Sequence, residues 1–169
     1  MKISMHTMSV EAFVPTLTAL GKVLDKAAQH ASAKKFDSAV LVNARLAPDM
    51  FPLSKQVQIA CDFAKNSTAR LAGQEAPRFE DTEQTIDELK ARVARTLDYV
   101  NGFRAAAFEG AEDRDIKLSF PNGMSLEFKG LPFLRDWALP NFYFHAVTAY
   151  DILRHNGVEL GKRDFLNSN

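Results

Sequence analysis

The sequence predicts a mainly α-helical protein: a four-helix bundle with one small β-hairpin between its third and fourth long helices. Three observations lead there. Apolar residues recur at the helical period over four long stretches, and only Asp115 to Lys129 alternates with period two. The connections between these stretches are short and polar, as in bundles. At 169 residues the chain is long enough to bury a core as one domain spanning 1–169.

The elements follow in order. Ser9 is placed to cap a first helix running to about His30, with Val10, Phe13, Val14, Leu17, Leu20, Leu24 and Ala28 in helical spacing. Pro15 could instead delay that start by a turn. Asp37 can cap a brief helix, SAVLVNARL, that ends near Pro48. Asp49 is placed to cap the second long helix, with Pro52 in its first turn and Gly73 closing it. Its inward stripe is Leu53, Val57, Ala60, Ala64 and Leu71, with Gln56 on the stripe's edge and Asp62 and Lys65 pointing outward. The third helix can start at Asp81–Thr82 or at Thr85, where Thr85-Ile86-Asp87-Glu88 spells a capping box. It directs Ile86, Leu89, Val93, Leu97 and Val100 inward and ends before Gly110.

Around Pro121-Asn122-Gly123, Ile116, Leu118 and Phe120 alternate with polar residues, and so do Met124, Leu126 and Phe128. That is a hairpin pattern, with Asn-Gly supplying the positive φ angles of a tight turn. A hairpin alone is marginal in water, so its apolar face should lie on the bundle.

The fourth long helix, Leu131 to Gly157, holds the longest apolar run, the only Trp and two of the four His. Pro132 suits its first turn and Gly157 its end, while Pro140 interrupts a hydrogen bond and should kink it. At about 100° per residue, Leu134, Ala138, Asn141, His145, Thr148, Ala149 and Ile152 share one stripe. Leu139, Tyr143, Val147 and Tyr150 lie across from it, so the helix is apolar nearly all round. Such a helix is covered on both sides, and the expected cover is a homodimer through it or its neighbour, the alternative being the chain's own termini. The remaining GVELGKRDFLNSN reads as an extended tail whose Phe165 and Leu166 dock.

Composition excludes several classes. Lys plus Arg equals Asp plus Glu at 21 each, so no basic field marks a nucleic-acid partner. No apolar run approaches the roughly 18 residues of a membrane span. The stretch MKISMHTMSV lacks a signal peptide's apolar core, and the expected location is cytoplasmic. The single Cys61 excludes an internal disulfide and any multi-cysteine metal site, and its place near the second helix's core face suggests a packed thiol.

Three stretches carry a family resemblance: NARLAPDMFPLSKQVQIACDFAK, FEGAEDRDIKLSF and ALPNFYFHAVTAYDILRHNGVELGKRDFL. With this helix order, the chain resembles an uncharacterised bacterial family within the DinB/YfiT-like bundle superfamily. The resemblance implies a four-helix bundle, often dimeric. It also implies a divalent metal in many members, held by one histidine from the second helix and two spaced i, i+4 on the last. Here His145 matches the first of that pair, Ala149 stands at i+4, and the second helix has Gln56 but no histidine. One imidazole with amides is a poor zinc or nickel site, so neither a metal nor another cofactor is expected.

His145, Asn141, Thr148 and Gln56 are therefore the pocket candidates, either lining a site for a small, partly apolar ligand or forming a satisfied polar cluster that fixes helix register. No catalytic constellation is identifiable. The alternative the resemblance implies is a thiol- or metal-dependent transferase or isomerase.

Overall fold

The computed structural model describes residues 3–167, and the bundle with its hairpin is present. Helix α1 (Met5–Lys34) begins five residues earlier than a Ser9 cap would place it, because Ser4 accepts the Thr7 N–H at 3.1 Å and caps it. Ser9 is instead buried inside the helix, its hydroxyl donating to the Met5 carbonyl at 2.6 Å. Pro15 does not delay the helix: it lies within α1 on the exposed side, where the carbonyl it leaves without a donor can meet water. Helix α2 (Ala39–Val42) is a single turn, with the Asp37 carboxylate accepting the Ala39 N–H at 2.9 Å.

Helix α3 (Leu53–Leu71) is capped by Pro52 rather than Asp49. Asp49 sits in a turn upstream, and the Leu53 N–H is held by the Ala44 carbonyl at 2.9 Å, which fixes the start of α3 against the exit from α2. The expected outward direction of Lys65 is also corrected. Lys65 is buried, its ammonium donating to the Pro77 carbonyl at 2.8 Å and lying 4.3 Å from the Phe79 ring centre. The cause is the connection to the next helix, which folds back over α3 instead of arching into solvent. Helix α4 (Ile86–Asn101) takes the Thr85 start, with both halves of the capping box formed.

Strands β1 (Asp115–Ser119) and β2 (Ser125–Lys129) pair antiparallel, with Ile116 opposite Phe128 and Leu118 opposite Leu126. Of the turn residues only Gly123 has positive φ, at 82°, while the Asn122 side chain accepts the Met124 N–H at 3.1 Å. The loop therefore has three residues, with glycine alone in the left-handed region. After β2, Gly130 passes so close to Ala111 that an added Cβ would stand 1.8 Å from the Ala111 carbonyl oxygen. No other residue fits there.

The last long helix runs through α5 (Gly130–Pro132), a π turn over Phe133–Ala138, and α6 (Leu139–His155). The irregularity expected at Pro140 takes the form of that π turn, which ends just upstream and places Pro140 in the first turn of α6, where a missing N–H costs little. The hairpin's apolar face lies on the turn, with Phe128 6.0 Å from both Phe133 and Trp137. The tail is helical rather than extended, forming α7 (Lys162–Leu166). Phe165 meets Tyr150 edge-on at 5.9 Å, but Leu166 does not dock and is 56% exposed.

Helices α1 and α3 each pack against both α4 and α6, closing the bundle. Phe13 and Phe142 meet edge to face at 4.9 Å among fully buried Leu17, Leu24, Val57, Leu89 and Ile152. No helix among the described residues is long and apolar enough to cross a membrane.

Candidate functional site

Gln56 lies in the first turn of α3, where its amide nitrogen donates to the Phe51 carbonyl at 3.1 Å. That bond fixes which way the amide faces, and its oxygen is left for α6. His145 fills the position: its Nδ1 donates to the Gln56 Oε1 at 2.7 Å. With Nδ1 carrying the proton, the neutral imidazole leaves Nε2 as an acceptor, and Nε2 has no partner among the described residues. Burial lowers the pKa of His145, favouring that neutral form. Phe63 stacks nearly parallel to the imidazole at 6.1 Å, and Phe144 meets it edge-on at 5.2 Å.

The other two candidates do not join this pair. Asn141 donates its amide to the Trp137 carbonyl at 2.8 Å, and Thr148 its hydroxyl to the Phe144 carbonyl at 2.7 Å. Both satisfy carbonyls of their own helix.

Where the resemblance places three histidines, the side chains present are one imidazole, one amide and the methyl of Ala149, which is no ligand at all. The amide oxygen already accepts from the imidazole, so the two are aimed at each other. This set does not fit a zinc- or nickel-type ion, and among the described residues no three His, Cys, Asp or Glu side chains gather into a metal-binding group. Cys61 offers no alternative nucleophile in its folded position. Burial raises its thiol to about 12 despite the Thr96 hydrogen bond, so it stays protonated near neutral pH.

Between α3, the hairpin and the π turn lies a cleft of about 210 Å³. One wall is apolar, formed chiefly by Phe63, Leu118, Phe120, Phe133 and Trp137; the other is a polar row along α3, Asp62, Asn66, Ser67 and Arg70. The spacing of 62, 66 and 70 puts one residue on each turn of a single face. That row is legible in the sequence, but it reads as solvated until the hairpin is laid beside it. Phe63 is shared: it stacks on His145 and also lines the cleft.

Asp62 is held from behind. Arg92 reaches it at 3.1 Å and also touches Asp81 and Glu83 at 3.0 Å each, while Lys65 reaches Asp62 at 3.1 Å. Around the Arg92 guanidinium, burial opposes the charge and the carboxylates more than restore it, so its pKa is raised. Phe79 closes over this network, with the Arg95 guanidinium 3.8 Å from its ring centre.

The chain is thus a mainly α-helical bundle with a polar contact between its second and last long helices and a hairpin inserted before the latter. Residues 5–166 match the family described as a domain of unknown function, DUF1993, and the chain belongs to that family. Among solved structures it is similar to a DinB family member protein from Shewanella denitrificans. The two are 47% identical and superpose with a TM-score of 0.88 over 95% of this chain and 90% of that one. No curated protein matches the chain.

Proposed function

We propose that this DinB-like protein is a homodimer that binds a small, partly apolar ligand in the cleft lined by Phe63, the ring that also stacks on His145. The observation that carries this reading is the apolar surface gathered around one polar pair. Phe51, 55% exposed, and Phe144, 58% exposed, both flank the Gln56–His145 contact, and exposed Tyr143 and Val147 continue along the same helix. Large apolar side chains clustered at a surface favour a partner copy over water. Just inward, Phe63 passes from that seam into the cleft, whose aromatic wall and few polar groups suit a small ligand.

Light scattering after size exclusion tests the first half. The protein should elute as a dimer, and Tyr143→Asp combined with Val147→Asp should give a folded monomer; a monomeric wild type refutes the dimer. The second half is tested with phenylacetamide, a neutral single-ring probe, while following emission from the only tryptophan, Trp137. A saturable change supports the pocket, and no response to phenylacetamide at any concentration refutes it.

A further inference from the structure

We infer that the cleft selects an aromatic monocarboxylate, with Arg70 as the residue that recognises the acid group. This deepens the ligand-binding reading above and rests on it. Three groups on neighbouring turns of α3 point to the same conclusion. Arg70 makes no ion pair or hydrogen bond through its guanidinium among the described residues, although it lies at the cleft and surrounding protein disfavours its charge by desolvation. Ser67, 1% exposed, has a hydroxyl without a partner, one of only two such buried side-chain atoms among the described residues. Asn66 completes the row between Asp62 and Arg70.

A buried hydroxyl without a partner is uncommon in folded proteins, and here it lines one cavity together with the unpaired guanidinium of exposed Arg70. An anion supplies what they lack. A guanidinium matches a carboxylate through two parallel N–H···O bonds, with the Asn66 amide and the Ser67 hydroxyl as further donors. The Asp62 carboxylate on the same wall argues against a doubly charged phosphate, since a second negative charge would face it. Opposite these groups, Phe63, Phe120, Phe133 and Trp137 offer ring faces and edges to a planar body. Size agrees: cavities of roughly 150 Å³ accept benzene, so about 210 Å³ holds one ring with a short acid-bearing arm.

The test compares phenylacetate with phenylacetamide, hexanoate and benzylamine by calorimetry and Trp137 emission, using the full chain. Phenylacetate should bind tightest, and Arg70→Gln should weaken it roughly ten- to a hundredfold, the loss of a charge-assisted contact. The same change should leave phenylacetamide unaltered, and Arg70→Lys should fall between, because it keeps charge without the fork. Equal binding of acid and amide, or no effect of Arg70→Gln on phenylacetate, overturns the assignment to Arg70 while the pocket stands. Tighter binding of hexanoate overturns the aromatic half. If both single-ring probes are silent, the pocket falls and this inference with it. Circular dichroism of Arg70→Gln, a change at an exposed side chain, verifies that the fold persists.

Discussion

Replacing Arg92 by Met removes the guanidinium that ties α4 to α3 and to the connection between them. The side chain is 1% exposed and contacts Glu83 and Asp81 at 3.0 Å, Asp62 at 3.1 Å and the Glu80 carbonyl at 3.1 Å. Breaking a buried pair by deleting one partner costs about 3–5 kcal/mol, because the other charge is stranded. Here the strandings differ. Lys65 still holds Asp62 at 3.1 Å and Lys55 still holds Asp81 at 2.5 Å, and both carboxylates reach solvent. Glu83, 11% exposed, keeps only the Gln58 amide at 2.8 Å. One stranded carboxylate, and an Arg92 Nε that lacked a partner from the start, put the loss near the lower end, about 3 kcal/mol. Urea denaturation followed by far-UV circular dichroism should show that loss with an unchanged slope. Adding Glu83→Gln should return about 1–2 kcal/mol, since a neutral amide needs no cation. A loss below about 1 kcal/mol would mean these contacts behave as exposed pairs, and the reasoning fails.

Other outcomes follow from single contacts. The His145 imidazole should titrate by NMR below its ordinary value of 6.5, because burial disfavours the cation. Its folded pKa being depressed, the stability it contributes is fully present above 6.5 and is lost as pH falls through the folded value; a measured pKa at or above 6.5 contradicts this. Cys61, fully buried and raised to about 12, should react with an aromatic disulfide reagent only when urea unfolds the chain, and rapid labelling of native protein would show the thiol to be reachable. Gly130→Ala should destabilise by about 1–3 kcal/mol in thermal unfolding, since the Ala111 backbone must shift to admit a methyl group; unchanged stability would show the approach to be loose.

What the sequence made legible was periodicity. Leu53, Val57, Ala60 and Leu71 fall on the buried face of α3 as their spacing requires, and the Thr85 capping box marks the start of α4. Caps that depend on remote partners were not legible. Asp49 looks like a cap until the Ala44 carbonyl is seen holding Leu53. Lys65 illustrates the same limit, because only the folded-back Phe79 makes a lysine on that face buried. Within the site, the meeting of Gln56 and His145 was accessible, since Gln56 lies at the edge of one inward stripe and His145 falls on the other. Asn141 was misleading for a local reason: its amide is used by the Trp137 carbonyl one turn back on its own helix. The cleft was out of reach, because its second wall comes from a hairpin whose docking position no periodicity encodes.

The shared ring of Phe63 has a thermodynamic consequence. Two environments divided by a single aromatic wall are not independent, since any tilt of the ring reaches both the imidazole at 6.1 Å and the cleft beyond. Linkage is reciprocal: if filling the cleft alters the proton affinity of His145 by some factor, protonating His145 alters the filling by that same factor. The seam between α3 and α6 can thus make occupancy a function of acidity through packing alone, without the imidazole touching what is bound.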